Sequence, residues 1–139
     1  MYTISTDKSR LDIGMIHKFL SEDSYWARNI PREVVERSIE NAMCFGAYDG
    51  DRQVGFARVI TDRAVFAYIG DVFVLPPFRG QSISKKMMRA ILEHPDLQNL
   101  RRWYLVTSDA HRLYTQFGFA ALKSPEKHME LVVANPYGN

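Results

Sequence analysis

The stretch Asp71-Val72-Phe73-Val74-Leu75-Pro76-Pro77-Phe78-Arg79-Gly80-Gln81-Ser82-Ile83-Ser84-Lys85 joins an apolar run to a short Pro/Gly loop and then to a basic helix. The first amides of a helix have no acceptor within the helix and point outward. With the helix dipole they form an anion site of the size of a pyrophosphate. Arg79, Lys85 and Lys86 add positive charge at that end, with Arg89 one turn on. Ser82 and Ser84 offer hydroxyls that cap a helix or donate hydrogen bonds. The same residues also read as a capped helix with a solvated basic face, and physical chemistry alone leaves the two open.

The run Val74-x-Pro76-x-Phe78-Arg79-Gly80-Gln81-Ser82-Ile83-Ser84 resembles the acetyl-CoA loop of the GNAT superfamily of N-acetyltransferases. That signature reads Gln/Arg-x-x-Gly-x-Gly/Ala, typically after Val-x-Pro-x-(Tyr/Phe). Arg79 matches its first position, whereas Ser82 stands for a glycine and Ser84 for a glycine or alanine. Glycine there permits close approach and positive φ; serine at a left-handed φ costs about 1–2 kcal/mol, and at a helical φ almost nothing. Downstream, Leu113-Tyr114-Thr115-Gln116-Phe117-Gly118-Phe119 resembles the family's Leu-Tyr-x-x-x-Gly-Phe element, one helix and one strand later. The resemblance covers about Phe45 to Phe119, and the predicted order of elements extends it to both ends.

The resemblance implies roles position by position. Backbone groups of Phe73 and Val74 pair with a pantetheine arm, and the Val74 amide polarises a thioester carbonyl. Amides of Gly80, Gln81, Ser82, Ile83 and Ser84, helped by Arg79, hold the pyrophosphate. Tyr114 protonates the departing thiolate, a short transfer between groups with pKa values near 10 and 8.5. The alternative for Tyr114 is a packed aromatic. Thr107, with Ser108, Asp109 and His111, borders the thiol; Asp109 also suits the cap of the last helix. Acetyl-CoA is the implied co-substrate, and no metal is implied.

An attacking amine must lose a proton, and Asp71 is the nearest acid on the central strand. Strict alternation puts Tyr68, Gly70, Val72 and Val74 on one face and Asp71 on the other, unless a bulge resets the parity. The loop holding Tyr25, Trp26 and Arg28 covers the acceptor side in similar proteins, and Arg58 and Tyr68 line the same cleft from adjacent strands. Trp26 serves equally as a plug at the edge of the core. Polyamines, amino acids, aminoglycosides and protein amines all remain open as acceptors.

These residues need a scaffold. Tyr2 to Ser5 reads as a strand. Leu11, Met15, Ile16, Phe19 and Leu20 recur at helical spacing, predicting a helix from Ser9 to about Glu22. Pro31 opens a second helix through Val34, Val35, Ile39 and Ala42. Met43–Tyr48, Gln53–Thr61 and Ala64–Leu75 form an antiparallel meander with a turn at Asp49-Gly50-Asp51. A helix from Gln81 to about Glu93, a strand over Arg102–Thr107 and a helix from Asp109 to Phe117 follow. Phe119–Leu122 and Met129–Val133 are the last predicted strands. Strands joined through helices are expected parallel. The fold class is α/β, a single GNAT-like domain over 1–139 with a mixed central sheet and helices on both faces.

With 139 residues, 46% of them hydrophobic, the chain can bury one core without staples. The lone Cys44 sits between Met43 and Phe45, a core setting that excludes an intramolecular disulfide and fits a reducing, cytoplasmic location. No segment reaches the apolar length of a membrane span. The net charge of +2 is too small to argue for nucleic acid. The acceptor is therefore expected to be a small-molecule or peptide amine, with the oligomeric state open, a homodimer included. The rival reading is a domain that binds or senses acyl-CoA without turnover, for which the two loop serines speak.

Overall fold

The computed structural model describes residues 1–138. Five strands, β1 (Tyr2–Ser5), β2 (Met43–Asp49), β3 (Arg52–Thr61), β4 (Phe66–Val74) and β5 (Arg102–Leu105), lie side by side in chain order. The strands β1 to β4 are successively antiparallel, and β5 joins β4 in parallel. The connection from β4 to β5 runs through α3 (Ile83–Glu93), as a parallel pair requires. The sheet is thus mixed, in the α/β class expected.

Each face carries its own apolar layer. Ile16 of α1 (Ile13–Lys18) and Val35 and Ile39 of α2 (Arg32–Glu40) pack with Phe56 and Phe73 on one face. Ile83, Met87, Met88 and Ile91 of α3 pack with Val54, Ala57, Val59 and Ile69 on the other. In α3 these four fall at helical spacing, so one stripe is buried and the basic residues stay outside. A short α4 (His111–Thr115) buries Tyr114 against the α3 layer.

Three expectations are corrected. The pair β1–β2 is antiparallel, although helices link it. Two helical segments intervene, and their hairpin returns the chain to the end at which it started. The first helix does not run unbroken from Ser9 to Glu22. Asp12 interrupts it: its Oδ1 accepts from the Met15 amide at 3.1 Å, while its own amide donates to Gln53 Oε1 at 2.7 Å. A cap of this kind competes with continuing the helix. Its far end widens into a π-type turn closed by the Ser24 amide on the Phe19 carbonyl at 2.9 Å.

The last two predicted strands are the third correction. Phe119–Leu122 and Met129–Val133 are irregular, and no strand follows α4 among the described residues. A β-prone segment becomes a strand only when it finds an edge to pair with, and neither segment pairs with β5 within this chain.

Candidate active site

The register of β3 against β4 slips between Phe56 and Arg58: Phe56 faces Phe73, but Arg58 faces Gly70. Ala57 therefore opposes two residues, Asp71 and Val72, and β4 carries a bulge. Asp71 is the extra residue, held at φ 52, a left-handed conformation that is costly for any side chain but glycine. Before the bulge Ala67 and Ile69 face α3; after it Val72 and Val74 do. Tyr68 and Gly70 thus lie on the face opposite Val72 and Val74, which corrects the strict alternation expected. Asp71 is turned toward the α1–α2 face, where Oδ2 accepts from Arg58 Nε and Oδ1 from Trp26 Nε1, both at 2.8 Å.

Pairing between β4 and β5 ends at Ile69 with Leu105. Beyond it the strands splay, so the edge of Gly70–Val74 on that side has no strand partner. The Leu75 amide bonds the Val54 carbonyl at 2.9 Å, and alternation then turns the N–H and C=O of Val74 to the open edge. Arg79 agrees with this direction, since its Nε reaches the Val74 carbonyl at 3.0 Å.

The splay opens a cleft of about 490 Å³ between the bulge and the segment leading into α4. Tyr25, Trp26, Arg58, Tyr68, Asp71, Thr107 and Tyr114 all line it. Tyr25 and Trp26 meet edge to face at 5.0 Å, and the Tyr25 hydroxyl accepts from the Ser108 amide at 3.1 Å. That bond ties the aromatic loop across the mouth to the start of α4. Tyr114 is 8% exposed, and its burial, with Tyr25 and Asp109 nearby, pushes the phenol up to about 12. It therefore stays protonated at any ordinary pH. Burial, with Asp71 and Tyr104 nearby, also raises the Tyr68 phenol.

A second depression, of about 380 Å³, lies at the N-terminus of α3 and is lined by Val74, Arg79, Gly80, Ser82, Ile83, Ser84, Lys85 and others. Gly80 has φ 81 and Ser82 φ 63, so the loop turns through two left-handed residues. Ser82 occupies the cap position of α3 but makes no side-chain cap bond. The backbone is curled as the glycine signature requires, with serine bearing the strain. The cradle is thus of a size and kind to hold a pyrophosphate on backbone amides. Lys86 and Gln81 do not line this depression: the Lys86 Nζ donates to the Tyr2 carbonyl at 3.3 Å, and Gln81 Oε1 accepts from the Tyr2 hydroxyl.

Phe73 contributes backbone only: its ring is buried, stacked on Phe19 at 4.0 Å. Arg28 is not brought into the cleft, since its guanidinium donates to the Glu22 carbonyl at 3.0 Å. Asp109 does not cap α4: the cap residue is Ala110, the helix has no side-chain cap, and Thr107 Oγ1 accepts from the Ala110 amide at 3.0 Å just ahead of it. His111 is exposed. Sequence reasoning missed Val34, Ser38 and Tyr137, which also line the cleft. Tyr137 is carried by the C-terminal tail, where the Gly138 carbonyl accepts from Asn29 Nδ2 at 3.4 Å. No periodicity marks such a position. The Cys44 thiol, buried and raised to about 11 by burial, takes no part. Among the described residues there is no cluster of metal-ligating side chains, and no helix is long and apolar enough to cross a membrane.

The model of the acetyltransferase (GNAT) family matches residues 13–119. A curated protein of Gibberella zeae, named as a putative acetyltransferase, is 29% identical, the match covering 81% of this chain and 75% of that one. The crystal structure of a putative acetyltransferase of the GNAT family from Xanthomonas campestris pv. campestris is similar with a TM-score of 0.97 and 52% identity, over 100% of this chain and 98% of that one. A predicted acetyltransferase from Clostridium acetobutylicum, crystallised with acetyl-CoA, shares the fold at a TM-score of 0.70 and 18% identity, over 95% of both chains.

Proposed function

The chain belongs to the GNAT acetyltransferase family, and from that premise we propose that it moves an acetyl group from acetyl-CoA to a primary amine by direct attack on the thioester. The observation that carries this reading is that Tyr114 and Asp71 line the cleft at the splay between β4 and β5, while Val74, a few residues past Asp71 on the same open edge, lines the depression at α3. A donor laid along the open edge of β4 would put its pyrophosphate in the cradle at α3 and its thioester beside Val74. The Clostridium acetobutylicum relative, crystallised with acetyl-CoA, supports this choice of donor.

In this reading the amine nitrogen bonds to the carbonyl carbon while the Val74 amide stabilises the developing oxyanion. The C–S bond then breaks, and Tyr114 gives its proton to the leaving thiolate. Asp71 takes the proton of the amine, directly or through a water. Tyr114 recovers its proton from solvent. The bulge matters here, because it brings a carboxylate onto the face where the amine arrives. Trp26 and Arg58 hold both oxygens of that carboxylate in place.

The acceptor wall includes the rings of Tyr25, Trp26, Tyr68 and Tyr137, the acid Asp109, and Asp71 paired with Arg58. Ring faces and carboxylates suit a cationic amine, either a small molecule or the amine of a peptide. Titration of acetyl-CoA by calorimetry, with wild type beside Arg79→Ala, tests the donor half. Micromolar binding weakened in the variant supports it and leads to an amine screen with Tyr114→Phe as control. Absence of binding to the wild type overturns the reading.

A further inference from the structure

The turn into α3 is curled without help from its own cap residue. Gly80 and Ser82 are both left-handed, and Ser82 makes no side-chain cap bond. Left-handed backbone at a residue other than glycine persists only where the surroundings over-determine it. Arg79 fixes the entry to the turn through its Nε on the Val74 carbonyl. The turn itself, from Gly80 to Ser82, is held from outside.

The residue that holds it is Tyr2, on the edge strand farthest from β5. Tyr2 pairs with Asp49 of β2, and Tyr2 and Ile4 both pack on the α3 layer. Residues two apart on a strand share a face, so the Tyr2 ring is directed at α3. From there Tyr2 meets the loop and the helix at three points. Its hydroxyl donates to Gln81 Oε1, and Gln81 is the residue between the two left-handed positions. Its ring meets Phe78 edge to face at 6.4 Å, and the Arg52 guanidinium lies over the same Phe78 ring at 5.0 Å. Its carbonyl accepts from Lys86 Nζ, in the first turn of α3, at 3.3 Å. One contact lies ahead of the turn, one within it and one beyond it.

We propose that Tyr2 is a positioning residue for donor binding: it holds the turn Gly80–Ser82 in the shape that presents its amides to a pyrophosphate. This rests on reading the depression at α3 as the pyrophosphate site of the donor. Tyr2 does not line that depression, whereas Phe78, Gly80 and Ser82 do. It therefore acts on the donor only through Phe78 and the Gln81 side chain. Amides aimed at an anion bind it well when they are ordered beforehand; otherwise part of the binding energy goes into ordering them. The bond to Gln81 joins positions 79 residues apart. The order of the turn thus depends on β1 being seated at the edge of the sheet, on the other side of the molecule from the acceptor cleft.

Tyr2→Phe keeps the ring and the carbonyl and removes only the hydroxyl. Amide hydrogen exchange without any donor tests the tie itself. The Phe78, Arg79 and Lys86 amides, bonded to the carbonyls of Leu75, Pro76 and Ser82, are expected to exchange about fivefold faster in the variant, while those of β2 and β3 keep their rates. Gln81→Leu is expected to act alike, and the double variant to exceed neither, since both changes remove the same bond. NMR titration is expected to show acetyl-CoA bound about fivefold more weakly by Tyr2→Phe, with the affinity for S-acetylpantetheine, which lacks the pyrophosphate, unchanged. Unchanged exchange, equal acceleration in β2 and β3, additive single effects, an unchanged acetyl-CoA affinity or an equal loss for both donors would each overturn the proposal. A wild type that binds neither donor removes the donor reading and the pyrophosphate role of Tyr2 with it, while exchange still decides whether Tyr2 orders the turn. Should Tyr2→Phe not fold, the same measurements on Gln81→Leu decide.

Discussion

Arg58 and Asp71 form an ion pair at 2.8 Å that strict alternation along β4 forbids. The bulge at Asp71 makes it possible, at the cost of a left-handed backbone at φ 52. Strain kept in the middle of a strand marks a place where a side chain has been re-aimed. Asp71→Asn keeps the shape and removes the charge. Its kcat/KM is expected to fall about 10²-fold with little change in donor binding. Steady-state rates with any accepted amine, beside calorimetric titration of the donor, check both. An unchanged kcat/KM would remove Asp71 from the chemistry.

Tyr114→Phe is expected to lower kcat about 10²-fold while the KM for the donor changes little, because the hydroxyl acts on the leaving group only. With the phenol at about 12, no alkaline fall in kcat due to Tyr114 should appear below that region. The linkage has a definite sign. Between the ordinary tyrosine value of 10.0 and about 12 the folded chain keeps a proton that the unfolded chain has lost. Stability contributed by this group is therefore complete below pH 10 and declines as pH rises through that window. Urea midpoints of wild type and Tyr114→Phe along an alkaline series should diverge there and run parallel below it.

Ser82 carries φ 63 without a side-chain cap bond in return. Ser82→Gly is therefore expected to stabilise the fold by about 0.5–1 kcal/mol, after the added entropy of a glycine in the unfolded chain is subtracted. Ser82→Ala should not. Chemical denaturation of the three proteins reads the difference. If alanine and glycine behave alike, the backbone at this position is not strained.

Tyr48 is fully buried, and its hydroxyl has no hydrogen-bond partner. Burial raises its phenol, against an opposing pull from Arg10, whose guanidinium lies over the ring at 4.1 Å. Tyr48→Phe keeps the ring and removes the orphan group, so a gain of about 1 kcal/mol is expected in thermal or urea unfolding. A loss of stability would mean that the hydroxyl has a partner after all.

Much of the scaffold was legible in the sequence because it depends on local period. The α3 stripe of Ile83, Met87 and Ile91, the meander and the turn at Gly50 all follow from spacing. The two chemical elements around Arg79 and Tyr114 were legible through their resemblance to the family's signatures, since spacing alone left the loop open between an anion site and a plain capped helix. The bulge was not legible: Asp71 and Val72 look like any pair in a strand, and only the partner strand reveals that one residue is surplus. Nor was the fate of the last strands. Met129–Val133 has strand-like residues, but a strand also needs an edge, and availability of an edge is a tertiary property. The interruption at Asp12 depends on Gln53, far along the chain. Tyr137 joins the cleft through the path of the tail, which no local pattern encodes.

The two depressions at the splay are built from different material. The one at α3 is curled main chain, fixed by Gly80 and Ser82. The other is walled largely by side chains from two loops, two strands, two helices and a terminal tail. Point mutation changes side chains freely and main chain hardly at all. Lineages that inherit this fold can therefore exchange the second wall residue by residue while the first remains as it was. Divergence among relatives should accumulate at Tyr25, Trp26, Tyr68 and Tyr137 well before it reaches the turn at Gly80.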